Sequence, residues 1–314
     1  VNQQSKKPSP VLKFDMSRLR RYSTAEELNE SISKSLEDYA FLYDFDLKAE
    51  KTCSGTLLQV IYHLYKKNGH VVVLIDEYDK PILDNLGDLK KAAEMREILR
   101  SFYTILKSCD EYLRFVMLTG ISKFSRAGVF SALNNLQDIS MVERYGDIAG
   151  YTQEELEGNF SDWIDETAKT VSQDREKLLS KIREYYDGFS FDGKVRVYNP
   201  FSILNFFLDG RFGNYWYVSG SPTFIVKYMK ENAIQDPERY RHIKVSPDFA
   251  DTHEIEKSRP ESFLYQSGYL TIEKWIDDEI TLDNINDSFN ENSQEYWVSS
   301  SVIDSNIQKI VLTT

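Results

Sequence analysis

The chain reads as an α/β protein built on a parallel sheet. Three short apolar stretches, VLKFDM (11–16), VVVLID (71–76) and LRFVMLT (113–119), have the near-continuous apolar character of strands covered on both sides. Between them lie segments of helical period, one to two dozen residues long, as in successive β–α–β units. The second and third stretches then stop abruptly on polar groups, Asp76-Glu77 and Thr119. In open parallel sheets ligands sit beyond the carboxyl ends of the strands, so these groups emerge where chemistry is done.

Taken in order, the elements justify that reading. Ser23 and Thr24, each followed three residues on by a Glu, form a doubled capping box for a helix through about Tyr39. A second helix over 54–67 places Leu57, Val60, Ile61 and Leu64 on one face and stops at Gly69. A third, over 88–108, has Met95, Ile98, Leu99, Phe102, Ile105 and Leu106 as its expected buried stripe. From Tyr151 the texture becomes mostly helical: Thr152 to Glu155 is another capping box, and helical patterns run through Trp163, Ile182 and Tyr185, then Phe201 to Leu208. FLYQSGYLTIEKW (263–275) reads as helix, turn at Gly268, then strand. Residues 276–314 hold eight acidic side chains and one Lys and are rich in Asn and Ser, so they are expected to be disordered or an irregular appendage. The expected domains are therefore 1–150, 151–275 and a tail 276–314.

Composition narrows the function classes. The 314 residues are 41% hydrophobic, enough for a substantial core. No aliphatic run approaches the roughly 20 residues of a spanning helix, and the N-terminus lacks the apolar region of a signal peptide. The two cysteines, Cys53 and Cys109, have no CxxC spacing and read as reduced thiols in a cytoplasmic protein. A net charge of −12 argues against a large nucleic-acid footprint and leaves room only for a local basic patch. His63, His70, His242 and His253 show no ligand spacing, so no metal beyond Mg²⁺ is indicated. Tyr185, Tyr186, Phe189 and Phe191 read as core of the helical part rather than a stacking platform. The chain opens on Val, on a Lys- and Pro-containing stub, and reads as entered partway through.

An aliphatic strand ending in Asp-Glu has a rationale in nucleotide hydrolases. The first carboxylate, Asp76, holds Mg²⁺ through its water shell, and the second, Glu77, orients and deprotonates the attacking water. In TGISKFSRAGVFSALNNLQDIS (119–140) the Thr119 hydroxyl can contact a terminal phosphate or the attacking water, and Lys123 or Arg126 can neutralise transferred charge. The plain alternatives are a solvated turn after one strand and a polar loop after the other.

With those residues in view, the chain resembles the AAA-ATPase-like proteins, P-loop ATPases often fused to a C-terminal nuclease of the PD-(D/E)XK superfamily. The resemblance covers about residues 10–275 and rests on PVLKFDMS, VVVLIDEYDKPIL, LRFVMLTGISKFSRAGVFSALNNLQDIS, GYTQEEL, YYDGFSF, VYNPFSIL, YWYVSGSPTFI and FLYQSGYLTI. It implies that Asp76 and Glu77 are a Walker B pair, that Thr119 is a sensor-type residue, and that a winged-helix-like, mostly helical lid follows a P-loop NTPase-type sheet.

Two departures shape the expectation. The phosphate loop, which supplies the N–H cradle, a Lys and a metal-binding hydroxyl, is absent from the sequence, so the sheet is read as a truncated one. GFSFDGKV (188–195) has the spacing G-x-x-x-x-G-K, yet Val195 stands where Ser or Thr is needed and no apolar strand precedes it, so it reads as a turn. Nor is a nuclease signature present: Asp46 to Lys48, Asp88 to Lys90 and Asp192 to Lys194 are D-x-K triplets outside any suitable hairpin. The sequence is thus read as a fragment or degenerate member of an ATPase family whose parent binds Mg²⁺ and ATP, with neither expected to bind tightly here. The alternatives are a protein-interaction module that keeps the fold, and a metal-dependent hydrolase using Asp76, Glu77 and Asp79. Loss of the phosphate-loop strand should leave 11–16, 71–76 and 113–119 as a contiguous parallel piece whose third strand exposes an apolar edge.

Overall fold

A computed structural model describes residues 8–121, 136–215, 242–246, 249, 260–276 and 279–284. The chain divides into two compact units, the first from Val1 to Leu136 and the second beginning at Gln137, ahead of the boundary expected at 150.

In the first unit β1 (Val11–Asp15), β2 (Val71–Asp76) and β3 (Leu113–Leu118) form one parallel sheet in the order β1-β2-β3. The contiguous parallel piece expected from the sequence is what forms. Helices α1 (Ala25–Leu42) and α2 (Cys53–Asn68) connect β1 to β2; α3 (Lys80–Leu83) and α4 (Leu89–Ser108) connect β2 to β3. Crossovers between parallel strands are right-handed as a rule, so two that step in one direction place their helices on one face of the sheet. α1, α2 and α4 accordingly pack on one another.

Burial along the strands reflects that arrangement. Leu12, Phe14, Val73 and Ile75 point under the helices and are buried, with Phe14 edge-on to Phe102 of α4 at 5.5 Å. Across the other face Val11 pairs in register with Val72 and Val72 with Phe115; Leu74 pairs with Met117. Phe115 is 54% exposed and Met117 36%. The expected exposure of apolar β3 residues is therefore present, at the edge and on the uncovered face.

The helices begin where their caps dictate. Thr24 accepts from the Glu27 amide, while the Glu27 carboxylate returns to Ser23 N rather than to the cap itself, so the two expected boxes share one set of bonds. Thr52 caps α2 and Asp88 caps α4. Leu57, Val60, Ile61 and Leu64 are fully buried, as their spacing demands. On α4 the stripe is rotated from expectation: Ala92 and Tyr103 join Met95, Leu99, Phe102 and Leu106, while Ile98 and Ile105 are half-buried. Those two lie roughly 90° or more around the helix from the stripe's centre, too far to reach the sheet.

In the second unit α5 (Gln153–Asn159), α6 (Ser161–Thr170), α7 (Arg175–Tyr186) and α8 (Pro200–Asp209) enclose Leu156, Ile164, Leu178, Ile182, Tyr198, Ile203 and Phe206. The capping box of Thr152 and Glu155 is complete. Tyr186 is buried against Phe206, 5.7 Å between ring centres, and Phe189 stacks on Tyr265, which gives those rings packing roles. β4 (Ile243–Val245), β5 (Leu270–Ile276) and β6 (Glu279–Asn284) form an antiparallel sheet in the order β4-β6-β5, with α9 (Pro260–Gln266) leading to β5 through Gly268 at φ 79°. β6 corrects the expectation of an irregular appendage from 276: its pairing with β5 and β4 supplies the order that its polar sequence does not. Residues 285–314 lie outside the described residues. Among the described residues no helix is long and apolar enough to cross a membrane.

Neighbouring leucines on α2 test this packing. Leu57→Ala, at a fully buried site, is expected to lower unfolding free energy by about 2–5 kcal/mol. Leu58→Ala, on the exposed face, should change it by no more than about 0.5 kcal/mol in the same urea titration.

Candidate functional site

The carboxyl ends of the three parallel strands meet at one edge. β1 and β2 pair so that Asp15 stands opposite Asp76, and β2 and β3 so that Ile75 stands opposite Leu118. The Thr119 amide then donates to the Ile75 carbonyl (2.8 Å) and its hydroxyl to Asp76 Oδ1 (2.5 Å). The Glu77 amide donates to the same oxygen (3.1 Å). One oxygen of Asp76 is thus held from two sides, and the other takes no protein donor among the described residues. Asp76 is exposed, so this second oxygen faces solvent.

Directly after Asp76 the chain folds back. Glu77 adopts φ 50°, the left-handed region that costs a residue with a Cβ about 1–2 kcal/mol. Neighbouring bonds over-determine this turn: the Tyr78 amide donates to the Thr119 carbonyl (3.0 Å), and the buried Tyr103 hydroxyl donates to the Tyr78 carbonyl (2.8 Å). Gly120 makes the close approach feasible. A Cβ there would lie 2.6 Å from Asp79 Oδ1 and 2.7 Å from the Tyr78 ring.

Asp79 goes the other way from Asp76. It is 1% exposed, and its carbonyl receives the Ile82 and Leu83 amides at the start of α3. Among the described residues no group of three or more His, Cys, Asp or Glu side chains is arranged to hold a metal ion. The three-carboxylate site of Asp76, Glu77 and Asp79 is therefore not assembled, because the left-handed turn at Glu77 sends Asp79 into the core. Lys123 and Arg126 lie outside the described residues.

Two carboxyl groups at this edge are shifted in opposite directions. Burial pushes Glu77 above its ordinary value; nearby Lys80 opposes this, while Asp15, Asp76 and Asp79 reinforce it. A raised carboxylate is better suited to accept a proton near neutrality. Asp15 is lowered, chiefly by the Ser17 hydroxyl, which donates to its Oδ1 at 2.6 Å. The sequence reading missed Asp15: it sits at the end of an apolar strand as Asp76 does, and that shared position was the available signal.

The G-x-x-x-x-G-K stretch proves to be a closed turn. Asp192 Oδ1 accepts the amides of Lys194 and Val195, each at 2.9 Å, and Ser190 Oγ accepts that of Gly193. Lys194 Nζ is paired with Glu143 at 2.6 Å. The donors a phosphate would use are taken by the loop's own side chains. Asp88, of another D-x-K triplet, caps α4.

Two substitutions probe the turn after β2. Gly120→Ala is expected to cost about 1–3 kcal/mol by overpacking against Tyr78 and Asp79, read by denaturant unfolding. Because the folded-state value of Glu77 is raised, the folded protein binds this proton more tightly than the unfolded chain, and the group's contribution to stability declines as pH rises above 4.5 through the raised value. Glu77→Gln should therefore be more stable than the parent at pH 7, with the difference disappearing below 4.5 in melts across that range.

Known proteins resemble the chain to different extents. A 39% identical relative, an uncharacterised protein encoded in the vnfD 5′ region of Azotobacter chroococcum mcd 1, aligns over 202 residues, 64% of this chain and 37% of that protein. The chain thus spans well under half the length of this relative. A Walker-type ATPase of Pyrococcus abyssi superposes with a TM-score of 0.43 at 13% identity, covering 89% of this chain and 83% of the other. Residues 1–130 match the model of the AAA-ATPase-like family, described as predicted AAA-ATPase. Those residues, which resemble that family, include all three parallel strands and the turn after β2.

Proposed function

We propose that the carboxyl edge of the parallel sheet is the metal- and water-handling half of an Mg-ATP hydrolase site. The observation that carries this reading is the pair of bonds to Asp76 Oδ1, from Thr119 on the adjacent strand and from the Glu77 amide, which leave the second oxygen facing solvent. A single exposed carboxylate oxygen suits Mg²⁺, which keeps most of its waters and takes one or two protein carboxylates. Asp76 would hold the ion, whose chemistry is to neutralise charge on the phosphates.

Glu77 is the water-orienting base in this reading. Its left-handed turn fixes where its side chain begins, and its raised affinity for a proton matches that task. Thr119 acts mainly by fixing the Asp76 carboxylate, since its hydroxyl proton is already engaged there. Lys123 and Arg126 are assigned to charge neutralisation on their sequence position after Thr119 alone. ATP is bound only weakly by this chain, because no phosphate cradle is found in its sequence and the nearest substitute is closed by Asp192. A second reading, a protein-interaction module that retains the fold, is favoured by exposed Phe115 and Met117.

Manganese, an ion visible by electron paramagnetic resonance, tests the site without nucleotide. The chain is expected to bind it weakly, with binding lost in Asp76→Asn and kept in Glu77→Gln; retention in Asp76→Asn would refute the assignment. Calorimetry with Mg-ATP should show no low-micromolar binding, and such binding, abolished by Asp76→Ala, would refute the claim of weakness while leaving Asp76 in its role.

A further inference from the structure

The same sheet edge carries a feature that the carboxylates do not use. Between β1 and α1 the chain reads MSRLRRYST, and residues 13–24 hold four cations, Lys13, Arg18, Arg20 and Arg21, against one carboxylate, Asp15. In a chain of net charge −12 this is a local reversal of sign.

The loop is held rather than loose. Met16 is buried in a short 3₁₀ turn (Met16–Arg18), Leu19 and Tyr22 are half-buried, and Arg18, Arg20 and Arg21 project between these anchors. The Ser31 hydroxyl of α1 donates to the Arg20 carbonyl at 3.3 Å. Asp15, fixed by Ser17, takes Arg18 Nε at 2.9 Å, while the Arg18 side chain stays 86% exposed. That single bond orients the guanidinium and leaves its two terminal nitrogens toward solvent. Neither Arg20 nor Arg21 has an ion-pair partner among the described residues. Of the acids on neighbouring elements, Glu27 receives the Ser23 amide and Asp84 receives Lys80 (2.8 Å).

Exposed guanidinium groups suit phosphate, whose oxygens match their fork of donors, and two of these three, Arg20 and Arg21, have no ion-pair partner among the described residues. We propose that Arg18, Arg20 and Arg21 form a phosphate-binding surface for a ligand with closely spaced phosphates, either a single nucleic-acid strand or the polyphosphate of a nucleotide. Three contacts are compatible with an acidic protein because they require a patch, not a broad basic face. The assignment does not rest on the hydrolytic reading, since it needs neither metal nor Glu77.

The test is fluorescence anisotropy with a fluorescein-labelled oligothymidylate, and in parallel with a fluorescent ATP derivative, both in the absence of magnesium. Three phosphate contacts to a single strand predict a salt dependence with a slope of about −2, roughly a 15-fold loss between 50 and 200 mM salt. Arg20→Ala/Arg21→Ala should lower affinity at least tenfold and flatten the slope, and the double Lys variant should restore part of both. If only the ATP derivative responds to the substitutions, the phosphates are those of a nucleotide; if only the oligothymidylate responds, they belong to a strand. Unchanged binding of both probes by the alanine variant, or equally tight binding of labelled polyglutamate by the parent, overturns the proposal. The substituted side chains are exposed, so thermal melts of the variants should coincide with the parent and separate loss of binding from loss of fold.

Discussion

The register of three parallel strands is the constraint on which the first unit depends. With β1, β2 and β3 paired as they are, Asp15, Asp76 and Thr119 arrive together at one edge, and the Thr119 hydroxyl can reach Asp76. A slip of one residue would exchange the two faces of a strand, driving Val73 and Ile75 out from under the helices and turning Asp76 inward. Core packing and site geometry are thus fixed by one set of backbone hydrogen bonds. Buried Leu12, Phe14, Val73 and Ile75 set that register, rather than any polar group at the site.

Local strain is concentrated where the register ends. Glu77 is held left-handed by bonds its neighbours make, Tyr78 to Thr119 and Tyr103 to Tyr78, with Gly120 leaving the space. Such a conformation persists only where the surroundings over-determine it, and it clusters at functional sites. Here it separates two carboxylates that lie three residues apart in sequence: Asp76 faces solvent while Asp79 is enclosed. The edge consequently carries two kinds of surface side by side, carboxylates after β2 and arginines after β1.

Among the described residues, the exposed face of the sheet has its origin in the same topology. Right-handed crossovers that step one way from β1 to β3 place every connecting helix on one side. Parallel sheets are ordinarily covered on both. Phe115 and Met117 are accordingly exposed on the face away from the connecting helices.

Much of this was legible in the sequence. Continuous apolar runs located the three parallel strands to within a residue, capping patterns at Thr24 and Thr152 marked two helix starts, and the position of Asp76, Glu77 and Thr119 at strand ends singled them out. Those are properties of single segments, whose period and termini are written locally. What tertiary structure alone decided is how segments meet: that Asp15 stands opposite Asp76, that Asp79 is buried, that Gly120 must be bare, that Asp192 fills its own loop, and that β6 is a strand. Each depends on a partner many residues away, or on a backbone turn enforced by one, and a pattern read along one segment carries no information about which partner that is.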